Sequence, residues 1–461
     1  MNFYLKNKVL IENFTPEVLS YCNDTLTFDN PDFLKKEAMG KFTGKTLRKI
    51  VLYERNGNNL LLPFGVWKDI YSRFKNLFSS SKAIFEPLRK RSFGSNINLY
   101  QYQKNAVEAV LRAKNGILVA PCGSGKTQMG LEIVSRIGGK TLWITHTVDL
   151  LNQSMERAKA CFDLPLSEYG TITEGKVNIG NSITFATVQT LSNIDLSQFY
   201  SSWDCIIVDE CHKCVGSPTQ MMMFYKVLSK LAARHKIGLT ATPHRADGLD
   251  KCMFALLGDI VYEVPKEAVK DTTCTVKVRF VETGFMPDLD VILAGDGTLV
   301  YSSLIDNIIK DEERNEKIAK ELDTLNGATI VLSDRVEHLF KMYDKLADNS
   351  HAVVLSGQKQ SKTEKENRKR VLADLNSGKL RYVFATYKLA KEGLDVPNLR
   401  YVVFSTPQKD RTTVTQAAGR VGRKSEGKEF GTVIDFVDDF GMLRGYQRRR
   451  KTIYKKLGFI Y

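Results

Sequence analysis

No stretch of the 461-residue chain approaches the ~20 consecutive apolar residues that a membrane-spanning helix needs. The opening residues Met1-Asn2-Phe3-Tyr4-Leu5-Lys6 lack an apolar core long enough for a signal peptide. Cysteine is sparse: the eight residues are scattered, and Cys122, Cys205 and Cys211 sit inside strand or motif sequence. A disulfide framework is therefore excluded, and reduced thiols in a cytoplasmic protein are expected. Cys211-His212-Lys213-Cys214 has the local spacing of a zinc half-site. No second Cys or His pair lies nearby to complete four ligands, so no zinc is expected. Acidic residues are also in deficit, 52 Asp+Glu against 67 Lys+Arg, for a formal net charge of +15. That balance favours a polyanionic partner, although a basic soluble protein of any kind would share it. Apolar residues make up 43% of the chain, enough for ordinary packed cores, and the length suits two or three domains.

The most informative segment is Ala120-Pro121-Cys122-Gly123-Ser124-Gly125-Lys126-Thr127. It follows the apolar run Gly116–Ala120, which reads as a buried strand, and precedes a helical pattern from Gln128. Strand, glycine-rich turn, Gly-Lys-Thr and helix make a phosphate-binding loop. Gly123 and Gly125 let the backbone curl so that successive N–H groups converge on phosphate oxygens, and the helix N-terminus adds partial positive charge. Lys126 suits the β- and γ-phosphates, and the Thr127 hydroxyl suits Mg²⁺. The first motif position is Ala120, where the general pattern has Gly.

Downstream, the strand pattern Asp204–Val208 ends in Asp209-Glu210-Cys211-His212. At a strand's carboxyl end, Asp209 can hold Mg²⁺ through water and Glu210 can polarise an attacking water. Alone, this reads equally well as a solvated acidic strand end. Gly238-Leu239-Thr240-Ala241-Thr242-Pro243 follows, with two hydroxyls suited to couple the γ-phosphate site to a neighbouring domain.

Taken in order, these motifs resemble the first motor domain of a superfamily 2 helicase. Glu392-Gly393-Leu394-Asp395-Val396-Pro397 resembles that superfamily's motif V, and Gln416-Ala417-Ala418-Gly419-Arg420-Val421-Gly422-Arg423 its motif VI. Tyr102-Gln103 resembles the adenine-reading glutamine motif. Thr145 to Gln153 and Thr187-Val188-Gln189-Thr190 resemble nucleic-acid motifs Ia and Ic. The resemblance covers roughly residues 96 to 440. Asp-Glu-Cys-His departs from the Asp-Glu-Ala-Asp of the large RNA helicase group. The segments His244–Gly248 and Leu257–Tyr262 are similar to XPB-type DNA helicases and to phage recombination helicases of the UvsW type.

The resemblance implies an α/β fold of two tandem RecA-like parallel-sheet motor domains, residues 96–264 and 265–461. Residues 1–95 carry none of its motifs and read, from their own patterns and basic balance, as a small α+β accessory domain that touches DNA backbone or, equally, as a packed core under a solvated basic face. The resemblance also implies ATP and Mg²⁺, with Thr127 and Asp209 on the metal. Gln103, Gly123, Ser124, Gly125, Lys126, Thr127, Asp209, Gly393, Asp395 and Gln416 would bind ATP. Lys126, Glu210, Arg420 and Arg423 would be catalytic, the two arginines acting as fingers on one helical face of motif VI. Thr145, Thr187, Gln189 and Thr386 would touch nucleic-acid backbone, and Thr240 and Thr242 would couple the sites. The expected activity is ATP-dependent remodelling of branched or duplex DNA, in host cytoplasm if phage-encoded. An RNA helicase and a duplex translocase without strand separation stay open, because backbone readers see both polymers. No nuclease motif is visible. A non-enzymatic module is disfavoured by Lys126, Asp209, Glu210 and Arg423.

Local patterns complete the organisation. Within residues 1–95, Asn56-Gly57-Asn58-Asn59 signals a hairpin, and Gly65 to Phe78 reads as an amphipathic helix with Val66, Ile70, Phe74 and Phe78 on one face. Lys266 to Val300 reads as β-rich, with a tight turn at Gly295-Asp296-Gly297 that would cap a sheet edge or act as a strand-separating wedge. Ser303 to Leu325 reads as one long charged helix. Residues 441–461, with seven Lys+Arg and no acid, read as a helix with a docked apolar face and a basic face free for phosphate.

Overall fold

Short apolar runs, buried along their whole length, form the centres of two parallel sheets. They appear in a computed structural model that describes all residues except 87–92, 122, 216–217, 245–247, 270–272, 357–361 and 392–395. Two compact units result: Met1–Pro121 with Gly125–Lys266, and Glu267–Tyr461, with which residues 122–124 group.

The first unit opens with β1 (Asn2–Leu5), β2 (Val9–Glu12), β3 (Thr27–Asp29), β4 (Lys49–Val51), β5 (Glu54–Asn56), β6 (Asn59–Leu62) and β7 (Ser80–Ala83). Five of them form a sheet in the order β5-β6-β2-β1-β7, and β3 pairs with β4. The hairpin signal is met by β5 and β6, which turn through Gly57 at φ +58°. The amphipathic segment is a helix over Trp67–Phe74 between two 3-10 turns, with Ile70 and Phe74 buried. Phe74 meets the Tyr21 ring edge-on at 5.5 Å.

The large sheet follows: β8 (Gly116–Val119), β9 (Thr141–Thr145), β10 (Tyr169–Thr173), β11 (Lys176–Asn178), β12 (Ile183–Thr187), β13 (Cys205–Asp209), β14 (His235–Thr240) and β15 (Ile260–Glu263). Its order is β11-β10-β12-β9-β13-β14-β8-β15, parallel except where β11 folds back on β10. Every residue of β8, β9, β12, β13 and β14 is buried, as a sheet covered on both faces requires. The runs Gly116–Ala120 and Asp204–Val208, read as strands from sequence, are β8 and β13. β10, β11 and β15 lie toward the edges, where partial exposure mixes polar residues into the run and hides the pattern.

Residues 1–95 share one apolar cluster with this sheet. The joint is close at Gly65, where a Cβ would stand 2.4 Å from the Gly258 amide nitrogen and the Phe254 carbonyl oxygen. Lys236, fully buried on β14, donates to the carbonyls of Leu228 (2.7 Å) and Asn7 (3.2 Å) and lies 4.5 Å from the Phe64 ring centroid.

The second unit holds β16 (Thr275–Glu282), β17 (Thr329–Ser333), β18 (Ala352–Leu355), β19 (Tyr382–Thr386), β20 (Tyr401–Phe404) and β21 (Phe430–Val437). All pair in parallel, in the order β16-β21-β20-β17-β19-β18. β16, read from sequence as part of a transition segment, is an edge strand of this sheet, and its alternation reflects that position. The rest of the 266–300 segment is not β-rich. Among the described residues it adds a one-turn helix, Leu289–Ile292, and isolated bridges, including Leu293 with Leu299 across the Gly295–Gly297 turn. The single helix expected over 303–325 is two, Tyr301–Lys310 and Glu312–Asp323. Asp311 ends the first and caps the second, its carboxylate accepting from the Arg314 amide at 2.7 Å.

Helix Gly441–Leu457 docks through Leu443, Tyr446, Ile453 and Tyr454. Its basic run is not all solvated. Arg450 turns inward and forms a bidentate pair with buried Asp435 at 2.6 and 2.8 Å, and Tyr454 Oη donates to the same carboxylate at 2.9 Å. Periodicity alone places Arg450 beside Tyr446 and Ile453, but sequence gives no sign of the Asp435 that neutralises it.

Candidate active site

The site is assembled where β8, β13 and β14 end. Leaving β8, the chain turns through Gly123 (φ +83°) and Gly125 (φ +81°), and Gly125 is the N-cap of helix Lys126–Ile137. A side chain is excluded at Gly125 twice over. The left-handed backbone disfavours it, and a Cβ would stand 2.4 Å from Gln103 Nε2 and 2.9 Å from Gln128 Oε1. Gln103 is thus packed against the loop. Its Oε1 accepts from the Tyr100 amide at 2.9 Å in a capping box that starts helix Gln101–Ala113. Lys126 and Thr127 stand in the first helical turn, both half-buried. Cys122 lies outside the described residues.

Asp209 closes β13 and is buried, one of its oxygens accepting the Glu210 amide at 2.9 Å. Burial, and then the adjacent Glu210 charge, pushes its carboxyl well above the usual carboxylate range. Glu210 follows with φ +50°, a left-handed conformation that a non-glycine residue adopts at a cost, and such strain collects at functional positions. Burial opposes the Glu210 charge, but Lys126, the His212 hydrogen bond and His146 outweigh it and hold its pKa well below the ordinary range. Lys126 Nζ lies 3.9 Å from one Glu210 oxygen, and His212 Nδ1 lies 3.2 Å from the other. The same His212 nitrogen is 3.0 Å from Thr240 Oγ1 at the end of β14, and that hydroxyl accepts from the Thr242 amide at 3.1 Å. A polar chain therefore runs Lys126–Glu210–His212–Thr240–Thr242 across three strand ends.

His212 is the residue that motif reading left without a role. Its position two after Glu210 is visible in sequence, but its contact with Thr240, 28 residues away, arises only because β13 and β14 are neighbours.

The expected nucleic-acid residues fall into two classes. Thr145 and Thr187 are buried: the Thr145 hydroxyl donates to the Thr147 carbonyl at 3.0 Å, and that of Thr187 pairs with Thr190 Oγ1 at 3.0 Å. These hydroxyls shape their own turns rather than facing outward. Gln189 is exposed at the start of helix Val188–Asn193, and its Nε2 donates to the His146 carbonyl at 2.9 Å, tying the loops after β9 and β12.

In the second unit Thr386 ends β19, half-buried, its hydroxyl accepting from the Leu389 amide at 3.4 Å. Gln416 and Arg420 lie on helix Arg411–Arg420. Arg423 does not share that helix face. The helix ends at Arg420, a turn through Gly422 follows, and Arg423 bridges Thr273. Gly393 and Asp395 lie outside the described residues. No group of three metal-ligating side chains occurs among the described residues, and no helix there is long and apolar enough to cross a membrane.

Comparison with known proteins matches this geometry. Residues 96–245 match the family "Type III restriction enzyme, res subunit", and residues 313–425 match "Helicase conserved C-terminal domain". A putative ATP-dependent RNA helicase of Acanthamoeba polyphaga mimivirus is 27% identical over 74% of this chain and 64% of its own length. A DNA 3'-5' translocase XPB2 of Sulfurisphaera tokodaii is 27% identical over 72% of this chain and 80% of its own. Among solved structures, S. cerevisiae Dbp5 bound to RNA and ADP BeF3 has a TM-score of 0.54 at 17% identity, over 87% of this chain and 93% of that one.

Proposed function

Because this chain belongs to the superfamily 2 helicases, ATP-hydrolysing enzymes that act on nucleic acid, we propose that it remodels duplex or branched DNA in recombination or repair. The observation that carries the catalytic half of this reading is the polar chain Lys126–Glu210–His212–Thr240 at adjoining strand ends. Gly123, Ser124, Gly125 and Lys126 hold the phosphates of ATP. Thr127 and Asp209 fit Mg²⁺, since the buried Asp209 carboxylate meets a burial cost that a cation would offset. When bound, Mg²⁺ neutralises charge on the phosphate oxygens.

Glu210 orients the attacking water. Held down by Lys126 and His212, it is a weak base in this state. A phosphate that draws Lys126 away raises Glu210's basicity, so water is activated only beside substrate. His212 passes the state of Glu210 to Thr240 and the Thr240–Thr242 turn. From the resemblance, Gln416, Gly393 and Asp395 complete the nucleotide site, and Arg420 and Arg423 stabilise charge on the transferring phosphoryl group.

The nucleic-acid path follows the loops after β9 and β12, with Gln189 outward and Thr145 and Thr187 setting loop shape from within. Thr386 marks the corresponding strand end of the second unit. Contacts to backbone make sequence preference weak and salt dependence steep. The XPB-like sequence after Thr240–Pro243 and the Sulfurisphaera relative favour DNA. The printed name of the mimivirus relative favours RNA, which is the competing reading. Steady-state ATPase without nucleic acid, and with single-stranded DNA, duplex DNA, a four-way junction or RNA, separates the two. Strongest stimulation by duplex or branched DNA is expected. Stimulation by RNA alone overturns the DNA assignment and leaves the ATPase standing.

A further inference from the structure

In a chain of net charge +15, the segment 283–309 contains four aspartates and no Lys, Arg or Glu. It runs from the end of β16 through helix Tyr301–Lys310, and Asp288, Asp290 and Asp296 lie in the part before that helix. Its base is fixed: the Thr283 hydroxyl donates to Asp438 at 2.6 Å, the Asp439 amide donates to the Phe285 carbonyl at 2.9 Å, and Phe285 and Ile292 are buried in a small apolar cluster with helix Gly441–Leu457. The tip is apolar yet outside any core. Met286 is 62% exposed, Leu289 54%, Val291 53% and Leu293 38%. Asp288, Asp290 and Asp296 alternate with these side chains, and among the described residues none of the three carboxylates forms an ion pair.

We propose that this tip is a docking surface for a partner protein presenting a basic amphipathic helix. Large apolar side chains gathered in solvent on an anchored segment mark an interaction site. The interleaved carboxylates select the occupant by charge. A nucleic-acid strand is repelled, since its phosphates would lie within the ~10 Å Debye length of three aspartates. A helix with Leu-type anchors at i, i+3 and i+4 packs against these exposed apolar side chains, and flanking Lys or Arg side chains reach the aspartates. The chain's own basic helix, Gly441–Leu457, cannot be that occupant in a second copy, because its apolar face is already buried.

The test uses the full-length protein and a fluorescently labelled Leu/Lys amphipathic helical peptide. The protein's overall positive charge opposes adventitious binding of such a peptide. Wild type is expected to bind with salt-sensitive affinity. The triple change Leu289→Ser, Val291→Ser, Leu293→Ser, and separately Asp290→Lys, should each weaken binding about tenfold or more. Nucleic-acid-stimulated ATPase and strand separation should stay at wild-type levels, which also reports that the variants fold. The proposal is overturned if wild type shows no binding near ~100 μM peptide, a level that still detects weak docking. Equal binding by the variants also overturns it. Loss of strand separation in the triple variant would assign the tip to nucleic acid instead. A wild-type dimer dispersed by the triple variant would assign it to self-association.

Discussion

Both units bury charge at the carboxyl ends of a parallel sheet, but they treat it differently. In the second unit two buried arginines are matched to buried aspartates. Arg450 donates two hydrogen bonds to Asp435 and Tyr454 donates a third, while Arg314 donates to Asp438 at 2.7 Å and to the Ser405 carbonyl at 2.8 Å. In the first unit the charges are left open. Asp209 is buried with its pKa pushed upward, Glu210 sits in a left-handed conformation, and Lys126 stands 3.9 Å away, longer than a tight ion pair. Closed pairs hold an architecture. The long Lys126–Glu210 pair and the raised Asp209 carboxyl instead mark a place where a ligand can improve on the contacts present.

The largest expected effect breaks the open side. Lys126→Ala should lower ATP turnover by about 10³-fold or more, since the phosphates lose their main cation. Thermal unfolding should change little, because the Lys126–Glu210 contact is long and sits at the site, outside the apolar core. Retained turnover would remove Lys126 from the chemistry. Glu210→Gln should also stop turnover while ATP binding persists, and rapid hydrolysis by that variant would reject Glu210 as the water-orienting group.

The closed side should respond the opposite way. Arg450→Ala leaves Asp435 buried and unpaired and should cost about 3–5 kcal/mol in chemical denaturation. Replacing both partners with Met and Leu should recover most of that loss. ATP turnover per folded molecule should be unchanged in each variant. A loss of turnover in the stable double variant would show that this pair serves catalysis.

This contrast also explains what could be read from sequence. The phosphate loop, Asp209-Glu210 and Thr240–Thr242 are local: each is a strand end followed by a turn, so spacing alone locates them. The central strands are equally visible because burial on both faces makes them continuous apolar runs. Features that depend on strand order were hidden. β16 alternates like a solvent-facing strand because it is an edge, and only its pairing with β21 assigns it to the second sheet. Arg450 looked like one base of a solvated run until Asp435, 15 residues earlier, was brought beneath it. Arg420 and Arg423 share a spacing of three, but the helix ends at Arg420, so spacing misplaced the second.

A smaller effect follows from His338, buried in the second unit between Ser333 Oγ and Asn315 Oδ1, each at 3.0 Å. Burial, with help from the Arg314 and Lys341 charges, lowers its pKa to about 3. A histidine depressed in the folded state stays neutral there while the unfolded chain takes up a proton. Stability is therefore lost as pH falls from about 6.5 toward 3. His338→Gln removes that proton linkage. The stability gap between wild type and variant should narrow by about 2 kcal/mol between pH 7 and pH 5. A constant gap would mean that His338 takes up its proton in the fold as readily as in the unfolded chain.

The finest comparison lies inside the open site, between its chemistry and its relay. Thr240→Val keeps the side-chain shape but deletes the oxygen that meets both His212 and the Thr242 amide. The lost hydrogen bonds should cost about 1 kcal/mol of stability. Glu210 keeps Lys126 and His212 beside it, so ATP turnover should fall less than about tenfold. The turn that follows β14 loses its link to the state of Glu210, so strand separation per ATP should fall further than turnover does. Equal losses in both would make Thr240 a support for the catalytic carboxylate alone. A larger loss in separation than in hydrolysis would place the relay at this hydroxyl, where the sheet brings two distant motifs within one hydrogen bond.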